Sequence, residues 1–124
     1  MPFQQGQIVR VELFDPQEQN PKRRPVLIIS PTEDIRPGGR VAVLAISSAI
    51  ERPLPSGHFL LPWHPKGRVR TGLSKPSVLK ANWGQWVNVD ELREIAGSAP
   101  PSTVKEVLNW LRAQKTSLPG LRWD

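Results

Sequence analysis

Two short apolar runs constrain this chain more than anything else in it. PVLIIS (residues 25–30) and VAVLAIS (41–47) are continuous in aliphatic, largely β-branched side chains, and neither reaches the length of a stable helix. Pro25 and Pro31 bound the first, and the Pro37-Gly38-Gly39 turn precedes the second. Runs of this kind read as strands buried on both faces. Upstream, QIVRVELF (7–14) alternates, with Ile8, Arg10 and Glu12 on one side and Val9, Val11 and Leu13 on the other. That is a strand with its valine side inward. Between the first two strands, DPQEQNPKR is rich in turn formers and reads as a loop.

Further on the signals weaken. Pro53 and Pro55 forbid long pairing over 51–57. Residues 57–61 form a short strand candidate, and 62–72 is loop-like. Two more candidates, 77–79 and 86–89, are separated by a turn at Gly84, and Asp90-Glu91-Leu92 reads as a single helical turn. After Pro100-Pro101 comes the clearest helix. Val104, Val107, Leu108 and Leu111 recur at i, i+3, i+4 and i+7, with Trp110 beside the stripe. Thr103 with Glu106 fits a capping box, Ser102 being an equally competent cap. Lys115 suits the helix C-terminus and Pro119-Gly120 stop it. The expectation is one domain over residues 1–124. It is mainly β with some α: a small SH3-like barrel of five to six short strands (about 6–90) and a C-terminal helix (about 102–115).

Composition narrows the chemistry. Without cysteine there is no disulfide scaffold, no thiolate-bound metal and no thiol nucleophile. Two histidines are too few for a His₃ zinc site, and no cofactor is expected. No apolar run is long enough to span a bilayer, and MPFQQGQ does not resemble a secretory signal, so a cytoplasmic protein without a membrane partner is expected. The net charge of +6 points to a polyanion. Its distribution is more telling, because no acid lies between Arg52 and Val89, whereas Arg52, Lys66, Arg68, Arg70, Lys75 and Lys80 do. Lys22-Arg23-Arg24 forms a second cluster. His58 and His64 read as structural or surface residues, and Trp83 and Trp110 as core or dimer contacts. Trp63 reads as surface, with stacking on a base as the alternative.

GQIVRVELFDP, EQNPKRRPVLIISP, VAVLAISS and GLSKPSVLKANW, in that order, resemble the MazF/PemK/Kid family of toxin–antitoxin ribonucleases over about residues 6–83. The resemblance implies a homodimer that cleaves single-stranded RNA, mRNA included, without a metal. The products would be 2′,3′-cyclic phosphate and 5′-hydroxyl ends, and a cognate antitoxin would cover the groove. Carried over residue by residue, it makes Arg24 and Ser47 catalytic. Arg24 offers a guanidinium fork to the phosphate, and Ser47 a hydroxyl, with a slip to neighbouring Ser48 left open. Glu18, Gln19, Lys22, Arg23, Arg70 and Lys75 are assigned to RNA binding.

The chain departs from Kid-like members where they carry Arg-x-Asp. Here Lys80-Ala81-Asn82 stands at the catalytic positions. Lysine keeps the charge without the bidentate fork, and asparagine accepts no proton from a 2′-hydroxyl. Losing a positioned base costs on the order of 10²–10⁴ in rate. A non-catalytic nucleic-acid-binding barrel, or an inhibitor of a protein target like the related CcdB fold, is therefore the alternative.

Overall fold

The computed structural model describes residues 3–13 and 22–114. Six strands form one antiparallel sheet: β1 (Gln7–Leu13), β2 (Lys22–Ile28), β3 (Arg40–Ser47), β4 (His58–Leu61), β5 (Ser77–Asn88) and β6 (Ile95–Ser98). A single helix, α1 (Pro101–Gln114), follows. The spatial order is β4-β5-β3-β2-β1-β6, so β2 and β3, which carry the two apolar runs, are central and paired on both edges. The sheet is curled. After β4, at one edge, the chain crosses to β6 at the other, where Ser98 N–H donates to the Arg70 carbonyl at 2.9 Å. The approach is tight enough to need glycine: a Cβ on Gly97 would sit 2.2 Å from that carbonyl, and one on Gly72 2.1 Å from the Ala96 carbonyl.

Both faces of the sheet are dry, as continuous apolar strands require. One face gathers Ile8, Leu27, Ile29, Ala42, Leu44, Ile46 and Leu79 beneath Val107 and Leu111 of α1. The other gathers Val9, Val11, Val26, Ile28, Val41, Val43 and Ala45 with Ile35, Val89 and Leu92. The alternation in β1 sorts core from solvent from Val9 to Glu12, with Val9 and Val11 buried, Arg10 half-buried and Glu12 exposed, and departs from that pattern at Ile8, which is as buried as Val9.

Three other expectations change. The two short strands around Gly84 are one, β5, whose register against β3 jumps from Ala45↔Lys80 to Leu44↔Gly84. Ala81, Asn82 and Trp83 bulge out of the ladder there, so Gly84 marks an irregularity inside a strand and not a turn between two. Strand β6 was not expected, since IAGS is four residues long, contains glycine and does not alternate. Helix α1 begins at Pro101, with Val104 N–H donating to the Pro100 carbonyl, so Thr103 lies inside the first turn and does not cap it. Proline suits that first position because its missing N–H would be unpaired anyway. The expected single turn at 90–92 is a 3-10 turn over Val89–Glu91, with Asn88 N–H donating to Glu91 Oε1 at 3.0 Å. Lys115, Pro119 and Gly120 lie outside the described residues.

Candidate active site

A groove of about 300 Å³ opens where β2 and β3 stop pairing. The cause is a proline. Ile29 N–H donates to the Ala42 carbonyl, and stepping back two residues at a time along β2 brings the next such donors to Leu27 and then position 25. Pro25 has no N–H to give, and the β2–β3 ladder accordingly ends at Val26↔Ala45. Beyond it the strands part, and Arg23, Arg24 and Pro25 face Ile46, Ser47 and Ser48 across the gap. Continuing the lost register by two residues would set Arg24 against Ser47. Leu73, Ser74, Lys75 and Ser77 close the third side, and Arg10 the fourth.

The basic cluster is thus not in a loop. Strand β2 begins at Lys22, because β1 pairs with it through Glu12↔Arg23 and Val11↔Arg24 even where β3 does not. Arg23 and Arg24 are held on a rigid element, and Arg24 is half-buried. The guanidinium of Arg24 lies over the Trp83 ring, 5.5 Å from its centroid, and its Nε is buried without a hydrogen-bond partner among the described residues. Ser47 ends β3 partly buried, and its Oγ accepts from Ala49 N–H at 3.0 Å, which leaves its own O–H to donate outward. Ser48 also lines the groove and is exposed. Lys75 is exposed on the third wall, where its carbonyl accepts from the Ser77 hydroxyl at 2.9 Å.

Arg24, Ser47, Arg23 and Lys75 are therefore brought together, and Ser48 with them. Lys80, Asn82 and Arg70 are not among the lining residues. Lys80 is half-buried between Ala45 and His58 on the neighbouring strands, Asn82 is exposed in the bulge, and Arg70 is tied to β6 by its carbonyl. Glu18, Gln19 and the side chain of Lys22 lie outside what is described. The groove contains one cation that sequence reasoning did not assign to it. Arg10, on the outer side of the β1 alternation, pairs with Glu94 at 2.7 Å, the two side chains 35% and 69% exposed. Its signal was only a charged residue at an outward position, which is too common to single out. Trp63 is 44% exposed and does not line the groove. Trp110 packs on the helix-side core and donates its indole N–H to Ser56 Oγ at 3.0 Å.

The arrangement suits an extended polyanion. Four cations and four hydroxyls surround the groove, and no carboxylate or imidazole lines it among the described residues. No group of three or more metal-binding side chains occurs among the described residues. No described helix is long and apolar enough to cross a membrane.

The fold superposes on known proteins. MazF of Deinococcus radiodurans is similar at a TM-score of 0.69 and 22% identity, covering 91% of this chain and 96% of that one. The MazE–MazF complex of the same organism matches at 0.66 and 18%, covering 95% and 100%. An endoribonuclease from a mycobacterial species, in complex with its cognate antitoxin, matches at 0.67 and 17%, covering 94% and 99%. At these identities the likeness establishes the fold. No curated protein matches the sequence. The family described as PemK-like, MazF-like toxin of type II toxin-antitoxin system matches residues 4–114, nearly the whole described chain. The chain belongs to the PemK/MazF-like family of type II toxin–antitoxin toxins.

Proposed function

We propose that this toxin is a metal-independent endoribonuclease acting on single-stranded RNA. The observation that carries the reading is the meeting of Arg24 and Ser47 across one basic groove, from strands that part at Pro25. The 2′-hydroxyl of one nucleotide attacks the adjacent phosphorus. The bond to the 5′-oxygen of the next nucleotide breaks, leaving a 2′,3′-cyclic phosphate and a 5′-hydroxyl. Arg24 stabilises the charge gathering on the non-bridging oxygens, where a preorganised donor counts most. Ser47 donates its O–H to the same phosphate, and Arg23 and Lys75 hold the flanking backbone. Glu18 and Gln19 are assigned to the rim on the resemblance, and Lys22 and Arg70 to backbone binding on their place in the two basic clusters of the sequence. Lys80 and Asn82, at the positions where Kid-like members carry Arg and Asp, act from beside the groove. An acidic antitoxin segment folding over the cations, a homodimeric toxin and a cytoplasmic location complete the proposal; the similar solved chains include an endoribonuclease in complex with its cognate antitoxin.

The groove also supports a second reading. With no carboxylate or imidazole in the described lining, it is better furnished to hold RNA than to remove a proton. Mapping the 5′ ends of a long transcript by primer extension, with wild type beside Arg24→Ala, separates the two. New ends made by wild type and absent with the variant support cleavage. Tight RNA binding with no new ends supports the binding module, and full cleavage by Arg24→Ala would remove the role given to that residue.

A further inference from the structure

Arg24 is fixed in a way that its charge alone does not explain. No carboxylate pairs with it among the described residues, and its buried Nε meets no acceptor. Its recorded partner is the face of Trp83. We propose that Trp83 is the positioning residue for Arg24, setting the plane of the guanidinium so that its edge donors point into the groove. The inference rests on the reading of Arg24 as the phosphate-binding group.

A carboxylate would hold a guanidinium equally firmly, but it would occupy the donors and neutralise the charge that the phosphate needs. An aromatic face contacts the flat side of the guanidinium and leaves the in-plane N–H groups free. The ring is itself anchored, since Trp83 packs on the cluster that contains Val9, Val11 and Val26, while the Arg24 backbone is paired to Val11. Both ends of the contact are therefore set by the sheet. Trp83 reaches this face because Ala81, Asn82 and Trp83 bulge from the β3–β5 ladder; a regular strand would have given each of them a partner on β3. The orphaned Nε fits capture by a ring better than capture by hydrogen bonds.

Phenylalanine and methionine both fill much of the indole volume, but only phenylalanine keeps an aromatic face. Single-turnover cleavage of a long single-stranded transcript is measured for wild type, Trp83→Phe, Trp83→Met and Arg24→Ala, and for each Trp83 variant combined with Arg24→Ala. The saturating rate and the half-saturating protein concentration are recorded separately, below the measured unfolding temperature of every variant. Trp83→Met should lower the saturating rate by about ten-fold, with half-saturation little changed, and Trp83→Phe should recover most of the loss. Both should cost nothing further once Arg24 is alanine. Equal rates for the two Trp83 variants, or an unchanged loss in the Arg24→Ala background, overturns the inference and leaves the role of Arg24 standing. Full activity of Arg24→Ala itself overturns both.

Discussion

The two ends of the β2–β3 pair are built to opposite specifications. From Val26↔Ala45 to Ile28↔Val43 every residue is paired and essentially inaccessible, with a core on each side. A few residues away, at Arg23–Pro25 and Ile46–Ser48, the ladder is gone and the walls are cationic and hydroxylated. One sequence difference, a proline where a donor was due, separates a sealed core from an open groove. The sealed end holds the strands rigid, so the open end can keep Arg24 half-buried with an unmet Nε and still be ordered.

The sharpest way to break that contrast is Arg24→Ala. It should lower RNA cleavage on the order of 10³-fold while leaving the urea midpoint nearly unchanged, because it alters only the open end. Cleavage and unfolding measured on the same preparation check this. The converse is Leu44→Ala at the sealed end, where a wholly buried leucine lies in the helix-side core. It should cost about 3 kcal/mol in urea unfolding, with the cleavage rate of the folded fraction preserved. If that rate collapses too, the two ends are not separable.

Pro25→Val tests the boundary itself. Restoring the N–H should let the ladder reach Ile46, giving amide 25 protection from hydrogen exchange and slowing cleavage by about ten-fold. An unprotected amide 25 would show that proline is not what parts the strands. Ser47→Ala should slow cleavage by a similar, roughly ten-fold factor, against less than about two-fold for Ser48→Ala. The reverse order would move the substrate contact to Ser48. The smallest effect belongs to Glu94→Gln. Losing an exposed pair should cost well under about 1 kcal/mol, and Arg10, freed at the rim, should steepen the salt dependence of RNA binding by roughly 0.7 in log–log slope. An unchanged slope would mean that Arg10 stays away from the RNA.

Much of this was legible in the chain. The runs at 25–30 and 41–47 predicted strands buried on both faces, and both runs are, with a core on each side of the sheet. The stripe Val104, Val107, Leu108, Leu111 predicted the helix, and Val107 and Leu111 do seal one face. Arg24 and Ser47, given roles by the family resemblance, and Lys75, given one by its charge, line one groove. The misreadings share a cause. Trp86–Asn88 looked separate from Ser77–Leu79 because a bulge breaks periodicity without ending pairing. Ile95–Ser98 was invisible because its pairing depends on β1 and its docking on the loop around Arg70.

Local composition was enough to determine that β-branched runs between breakers become strands and that an apolar 3–4 spacing becomes a helix, because those preferences act over a few residues. It also placed the positive charge and excluded thiol and thiolate-bound metal chemistry. Only the tertiary structure decided that Lys80, Asn82 and Arg70 stand outside the groove lining while Arg10 joins it, and that Trp83 lies beneath Arg24. Those outcomes depend on strand register and on where a ladder stops. A shift of one residue turns every side chain to the other face, and no local preference records which register the whole sheet will choose.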